Sequence, residues 1–397
     1  MKIVIIGSGA SGLVTAIKAK NKDNEVIILE KNDKSLKKFL LTGNGKCNYF
    51  NEDFNVNKYY SHNIEIVDML INDENKKRVL DFYDSIGVIP RIKNGYYYPA
   101  SNQSYTISNA LIKEAKLKGI IFKYNYNVNS IRKEKDKFII NDELECDKLV
   151  ISVGGKSYTK TGSIGDGYEF AKSFGHKVYD VYPALVGLKT NDKIVKELSG
   201  VRTNCDVSLY KYDNLLLTEN GELQFTDYGL SGICIFNLSI FVKNGDKIHV
   251  NFLSDFDINS DNFNDEFNKL NSKLHNRNIT DLLECYLNYK IVNSILKLSK
   301  IDGNKKYNEL SDKDKNTLCN NLTDYSFEIV GNNGFENAQV SGGGVSLTEV
   351  DINTFESRKV KNLYFTGEVL DVTGMCGGYN LGFACLSGII CGENINK

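Results

Sequence analysis

The stretch KIVIIGSGASGLVTAIKAKNKDNEVIILE, from Lys2 to Glu30, decides the fold. Lys2 to Ile6 is an unbroken apolar run, the pattern of a strand buried on both faces of a parallel sheet. Gly7, Gly9 and Gly12 follow in G-x-G-x-x-G spacing and open a segment with helical periodicity at Leu13, Ala16 and Ile17. Glu25 to Glu30 reads as a second buried strand, so the stretch predicts a strand–helix–strand unit. Each glycine has a different task in such a turn. Gly7 allows the bend, Gly9 lets backbone approach a pyrophosphate, and Gly12 allows close packing of helix on strand. The helix start, with Ala10 and Ser11, offers free N–H groups and the positive end of a dipole to phosphate. Glu30 stands 18 residues after Gly12, where an acid accepts hydrogen bonds from ribose hydroxyls. An acid there fits the adenosine half of FAD or NAD and argues against a 2′-phosphate.

The totals bound the rest. A chain of 397 residues exceeds the ~250–300 at which single cores stop growing, so more than one unit is expected. Apolar residues at 41% and charged residues at 25% are ordinary for a globular protein. A net charge of −1 carries no footprint for nucleic acid or an anionic membrane, and neither partner is expected. Nine cysteines without a C-x-x-C pair, and only four histidines, predict no metal site and a reduced, cytoplasmic protein. No run approaches the ~20 apolar residues of a membrane span.

Further along, Ile64 to Ile86 and Tyr105 to Gly119 read as helical, the second stopped by its glycine. Short strands follow in IIFKYN, VNSIRKEK and KFIIN, then the buried strand LVISVGG, Leu149 to Gly155. From about Ala184 the texture changes to short β runs (DVSLY, NLLLT, ELQFT, KIHVNFL), and residues 260–322 are polar and helical. Strand and turn texture returns at NAQVSGGGVSLTEV and NLYFTGEVLD. The organisation is therefore a nucleotide-binding domain of residues 1–185 and 336–397 interrupted by an insertion of 186–335. Within the insertion, 186–255 reads as β-rich and 256–335 as helical.

The segment GEVLDVTGMCGGYNLGFACLSG, Gly367 to Gly388, ends the chain on a second glycine cradle. A flavoprotein needs later segments to return to the groove begun at Gly7, and Gly154 and Gly367 end strands suited to that return. Glu368 or Asp371 could hold ribityl hydroxyls. Gly377, Gly378, Asn380 and Leu381 would start a helix whose N–H groups face the flavin pyrimidine edge, which gains negative charge on reduction. Cys385 and Cys391 fall on an apolar helical face and read as packing residues. Tyr96 to Tyr98 form an aromatic cluster that suits either a substrate wall or a packed loop.

Several blocks together resemble the bacterial NAD(P)/FAD-dependent oxidoreductases described as aminoacetone oxidase family FAD-binding enzymes, a family that includes a bile-acid dehydrosteroid reductase. They are KKFLLTGNGKCNYFN (Lys37 to Asn51), GGKSYTKTGSIGDGYEFAKSFGH, PALVGL, LSGVR, GELQFTDYGLSG, GGGVSL and GEVLDVTGMCGGYNL. The resemblance covers essentially the whole chain. It implies an α/β fold: a Rossmann-like FAD-binding domain of the two-dinucleotide-binding-domain type, interrupted by an inserted β-barrel and helical domain. It also implies that Ser11, Gly12, Glu30, Lys38, Gly45, Lys46 and Cys47 line FAD. Lys31, Gly43 and Asn48 belong with them, and Val128 sits where such folds return a strand past the adenine.

The departures fall toward the substrate side. Lys46 replaces an Arg, which keeps the charge and loses a bidentate contact. Asp227 stands where the family often has His, and Thr373, Met375, Cys376, Gly382 and Phe383 differ from its consensus. The resemblance therefore carries no substrate with it. The expected activity is hydride or electron transfer between flavin N5 and a small organic substrate, with NAD(P)H as a transient reductant or, in an oxidase, with oxygen as the acceptor. No second G-x-G-x-x-G marks a nicotinamide domain. Asp227 and Tyr379 are the candidate acids. An FAD-dependent RNA-modifying enzyme and a non-catalytic flavin-binding protein are the alternatives, and the oligomeric state is not readable.

Overall fold

Ile3, Val4 and Ile5 have no exposed surface, and the strand they form is central to a parallel sheet. The computed structural model describes residues 1–397, which divide into two units: Met1–Ala184 with Phe335–Lys397, and Leu185–Gly334. In the first, seven strands run in the order Val350–Asp351, Glu356–Ser357, Leu363–Phe365, Lys148–Ile151, β1 (Lys2–Ile6), β2 (Glu25–Leu29) and Ile121–Lys123. The last five are parallel and the first two join antiparallel. Helix α1 (Ala10–Ala19) crosses from β1 to β2, and the C-terminal helix Tyr379–Asn394 lies against it.

That contact is close because it runs through glycine. A Cβ on Gly388 would stand 2.7 Å from the Ser11 carbonyl oxygen, inside contact distance. The chain leaves the first unit along Val178–Ala184 and re-enters along Val340–Val345, and these two strands pair antiparallel.

The second unit holds a closed six-stranded barrel. Its order is Leu188–Thr190, Gly229–Gly232, Asn214–Phe225, Arg202–Lys211, Lys247–Asn251 and Tyr325–Asn332. Alternation of Cys205, Val207 and Leu209 inward along one strand fills its interior. Helices Phe263–Lys273, Ile279–Glu284, Tyr289–Ser299 and Asp312–Thr323 complete its own hydrophobic cluster.

Three differences from the sequence reading have local causes. Residues 325–332, assigned above to the helical part, form the strand that closes the barrel, with alternate side chains Tyr325, Phe327 and Ile329 buried. The expected helix over Ile64–Ile86 is two helices, because the Asn72 side chain accepts the N–H of Asn75 and starts a new one. Val128 lies in irregular chain after the strand Ile121–Lys123 and not in a strand itself. No helix is long and apolar enough to cross a membrane.

Candidate active site

The front turn is built by contact. Gly7, at φ 99°, donates its N–H to the Leu29 carbonyl at 2.8 Å, and a Cβ on Gly12 would stand 2.1 Å from the Gly7 oxygen. Gly9 is different: the nearest heavy atom to a Cβ there is the Ser152 oxygen at 4.0 Å. Protein packing therefore does not require a glycine at that point, whereas an approaching phosphate does. No side chain caps the start of α1, so its first N–H groups remain available to an anion.

Glu30, 8% exposed, follows β2 and reaches back to the turn. One carboxylate oxygen accepts from the Ser8 N–H (3.0 Å) and hydroxyl (2.6 Å), the other from the Asn32 backbone (2.8 Å) and amide (2.7 Å). Tyr126 N–H donates to the Glu30 carbonyl at 2.9 Å, which draws the chain leading to Val128 past the acid. Lys31 turns away to Asp166 at 2.7 Å.

Front and rear meet at Thr366–Gly367. The Ser11 hydroxyl donates to the Thr366 carbonyl (3.3 Å), Ser152 and Thr366 share a hydroxyl bond (2.7 Å), and Gly367 N–H donates to Ser387 (3.0 Å). Beside this seam, Glu368 accepts from Lys38 (2.6 Å), Ser157 (3.0 Å) and the Ser341 N–H (2.9 Å). Gly154, at φ 74°, faces that carboxylate. Lys38, Gly154 and Glu368, distant in sequence, thus form one cluster.

The loop from Lys38 leads through Gly43, Asn44, Gly45 and Cys47, all at positive φ. Lys46 is exposed, while Cys47 has no exposed surface and burial pushes its thiol up to about 12. A thiol held neutral in this way is a packing group and not a nucleophile. The Asn48 side-chain oxygen is buried without any hydrogen-bond partner. Such an orphan costs roughly 1–3 kcal/mol, which a donor on a bound ring would recover. Gly377 and Gly378, also at positive φ, open the helix Tyr379–Asn394, whose start again has no side-chain cap. The Asn380 side chain is engaged with Gly374, accepting its N–H (2.8 Å) and donating to its carbonyl (2.7 Å), and Leu381 is half-buried behind it.

Asp371 takes a position the sequence did not reveal. It is fully buried, and its carboxylate accepts from the backbone N–H of His62 (2.8 Å), from Ser61 (3.3 Å) and from His62 Nδ1 (3.1 Å). Burial raises its carboxyl above the usual range, and these hydrogen bonds oppose that rise. Of the two acids offered for ribityl hydroxyls, only Glu368 stands beside Gly154; Asp371 is committed to His62. Tyr379 packs edge-on against Tyr59 with centroids 5.7 Å apart, and Asp227 lies exposed in a turn of the barrel unit. Tyr97 is buried in the core, so the Tyr96–Tyr98 stretch is largely a packed strand.

The dinucleotide reading fits these residues: an open Gly9, two uncapped helix starts and an orphaned Asn48 oxygen. The family model for the HI0933-like protein Rossmann domain matches residues 1–394. A 3-dehydro-bile acid delta(4,6)-reductase from Clostridium scindens is 34% identical over 403 residues, with 99% of this chain and 98% of the relative covered. A ribosomal RNA dihydrouridine synthase from Escherichia coli is 28% identical over 396 residues, covering 99% and 97%. Among solved structures, a 3-ketosteroid-delta4-(5alpha)-dehydrogenase from Rhodococcus jostii RHA1 aligns with a TM-score of 0.53 at 12% identity, covering all of this chain and 96% of that one. The open conformation of a flavocytochrome c3 fumarate reductase aligns at 0.51 and 15%, covering 99% and 78%. At these identities the two structures share the fold with this chain.

Proposed function

Because this chain belongs to the HI0933-like Rossmann family, we propose that the FAD-dependent oxidoreductase it forms reduces a carbon–carbon double bond conjugated to a carbonyl in a small organic substrate. FAD, bound and reduced, supplies a hydride at N5. Gly9 and the start of α1 would take its pyrophosphate, Glu30 its ribose, and Glu368 with Lys38 its ribityl chain. Asn48 and the start of the helix Tyr379–Asn394 would meet the ring. NAD(P)H is the proposed reductant, bound transiently since no second glycine fingerprint provides a domain for it.

The observation that supports this arrangement is the seam at Ser11, Thr366 and Gly367, where the two glycine segments of one chain join. The reaction class is supported by the names of the two relatives given above. A 3-oxo group with a Δ4 double bond is a conjugated enone, and uridine becomes dihydrouridine by saturation of a bond conjugated to its C4 carbonyl. The reaction type is common to both; the size of the substrate is what differs. A net charge of −1 favours the small molecule over ribosomal RNA.

The test is anaerobic. The purified protein should carry a flavin spectrum that NADH or NADPH bleaches, and a 3-oxo-Δ4,6 bile acid should restore it while gaining two hydrogens. Absence of bindable flavin would end this reading. Recovery with ribosomal RNA and dihydrouridine formation, without recovery by any enone, would replace the small substrate with RNA.

A further inference from the structure

We propose that His62, held by Asp371 and stacked on Tyr179, is the proton donor of this reduction. The inference rests on the conjugated-carbonyl reading above. Strand Tyr59–Tyr60 pairs antiparallel with Thr373–Gly374, which brings His62 beside the loop that opens the C-terminal helix. Asp371 enters that loop from the buried side. A carboxylate only accepts, so the His62 Nδ1 at 3.1 Å carries a hydrogen and Nε2 is the atom left for exchange.

The ring is held on several sides. It stacks on Tyr179 with centroids 3.8 Å apart and planes 4° apart, and Tyr60 meets it edge-on at 5.9 Å. The Lys177 ammonium sits 4.2 Å from the same Tyr179 ring, and Tyr182 and Tyr168 lie within electrostatic reach of Asp371, so these groups with Tyr60, Tyr179 and Asp371 make up the titratable surroundings the histidine shares. The His62 side chain keeps 37% of its surface exposed against 1% for Asp371. A buried carboxylate thus backs an imidazole that opens outward.

A second observation comes from the strand Val178–Ala184 and from Thr373. The Tyr182 hydroxyl and Thr373 Oγ1 are both buried with no hydrogen-bond partner. Tyr182 lies within electrostatic reach of Asp371, and Thr373 is two residues along the chain from it. Two orphaned hydroxyls close to Asp371 and Tyr60 suit a ligand that brings a carbonyl oxygen, which accepts where they can donate.

In the step assigned to His62, the substrate β-carbon receives the hydride with its electron pair. The C=C π bond breaks toward the carbonyl, and the imidazolium gives its Nε2 proton to the α-carbon. Two C–H bonds form, NAD(P)H is the two-electron donor overall, and His62 is left neutral with its hydrogen on Nδ1, still donated to Asp371. Solvent then returns the proton to Nε2. Asp371 is a positioning residue in this scheme.

The test uses FAD-loaded enzyme reduced with dithionite and mixed anaerobically with a 3-oxo-Δ4,6 bile acid. His62→Gln should retain flavin and slow reoxidation roughly 100-fold or more, the usual contribution of a general acid. Added imidazole should restore part of the rate to His62→Ala, and Asp371→Asn should displace the pH profile of reoxidation. Independently of turnover, nitrogen NMR of the holoenzyme should show neutral His62 with its hydrogen on Nδ1. Wild-type reoxidation rates in His62→Gln, or a hydrogen on Nε2 in the neutral form, would overturn the assignment alone. A wild-type enzyme that no enone reoxidises would overturn the function and this assignment together.

Discussion

His176 is the opposite of His62 in its surroundings. Its side chain has no exposed surface, its Nε2 is 2.7 Å from the Ser357 hydroxyl, and Phe365 meets the ring edge-on at 4.8 Å. Burial is the main force holding it below the ordinary value of 6.5, with Lys359 adding to it. Glu349, 3.3 Å from Nδ1, opposes them. The folded state therefore keeps His176 neutral at a pH where the unfolded chain takes a proton. Its stability contribution is complete above about pH 6.5 and falls as pH drops below that, by at most about 1.4 kcal/mol per unit for one proton. Urea midpoints at pH 7.5 and 5.5 should show this loss, and His176→Gln should flatten it; an equal slope in both proteins would show that burial does not penalise the charge. At this scale the sequence was legible where partners are near in the chain and silent where they are not. Glu30 meets Ser8 and Asn32 across one strand–helix–strand unit, and its place could be read from spacing. His62 and Asp371 are 309 residues apart, and nothing in YYSHN or in GEVLD announces the other.

Among elements, the strands were read where both faces are buried, because a continuous apolar run needs no knowledge of neighbours. β1, β2 and Lys148–Ile151 are of this kind. Helix ends were harder. Asn72 and Asn288 start new helices by accepting N–H groups through their side chains, a local signal that a hydrophobic period does not register. The barrel strand Tyr325–Asn332 was missed because its alternation is short and follows directly on a helix. The small residues of LSGIICG had a meaning that only the structure supplies. Gly388 touches the α1 backbone at Ser11, and α1 cannot retreat because Gly12 is already against Gly7. Gly388→Leu should therefore cost about 2–3 kcal/mol through overpacking, which in a unit of this size lowers its melting temperature by roughly 5–10 °C. The check is a thermal melt with flavin content measured alongside. An unchanged melt would mean the two helices have slack that the backbone distances deny.

For the molecule as a whole, the decisive fact is that there are two hydrophobic clusters and no single one. One contains β1, α1, β2 and the C-terminal helix; the other contains the barrel and its helices. All the residues assigned here to FAD belong to the first unit, which is discontinuous in sequence. A ligand that binds only one folded unit stabilises that unit by mass action, about 2.7 kcal/mol at a concentration 100 times its Kd. Calorimetry of the flavin-free protein should therefore resolve two transitions, and added FAD should raise one while leaving the other in place. Hydrogen exchange identifies them: protection should increase at β1, α1 and Tyr379–Asn394 and stay constant along Arg202–Lys211. Glu30→Ala should shrink the FAD-induced rise, since a hydrogen bond to a charged group contributes about 1.5–3 kcal/mol. A rise confined to the barrel transition would place the cofactor in the wrong unit and remove the basis for reading the two glycine segments as one site.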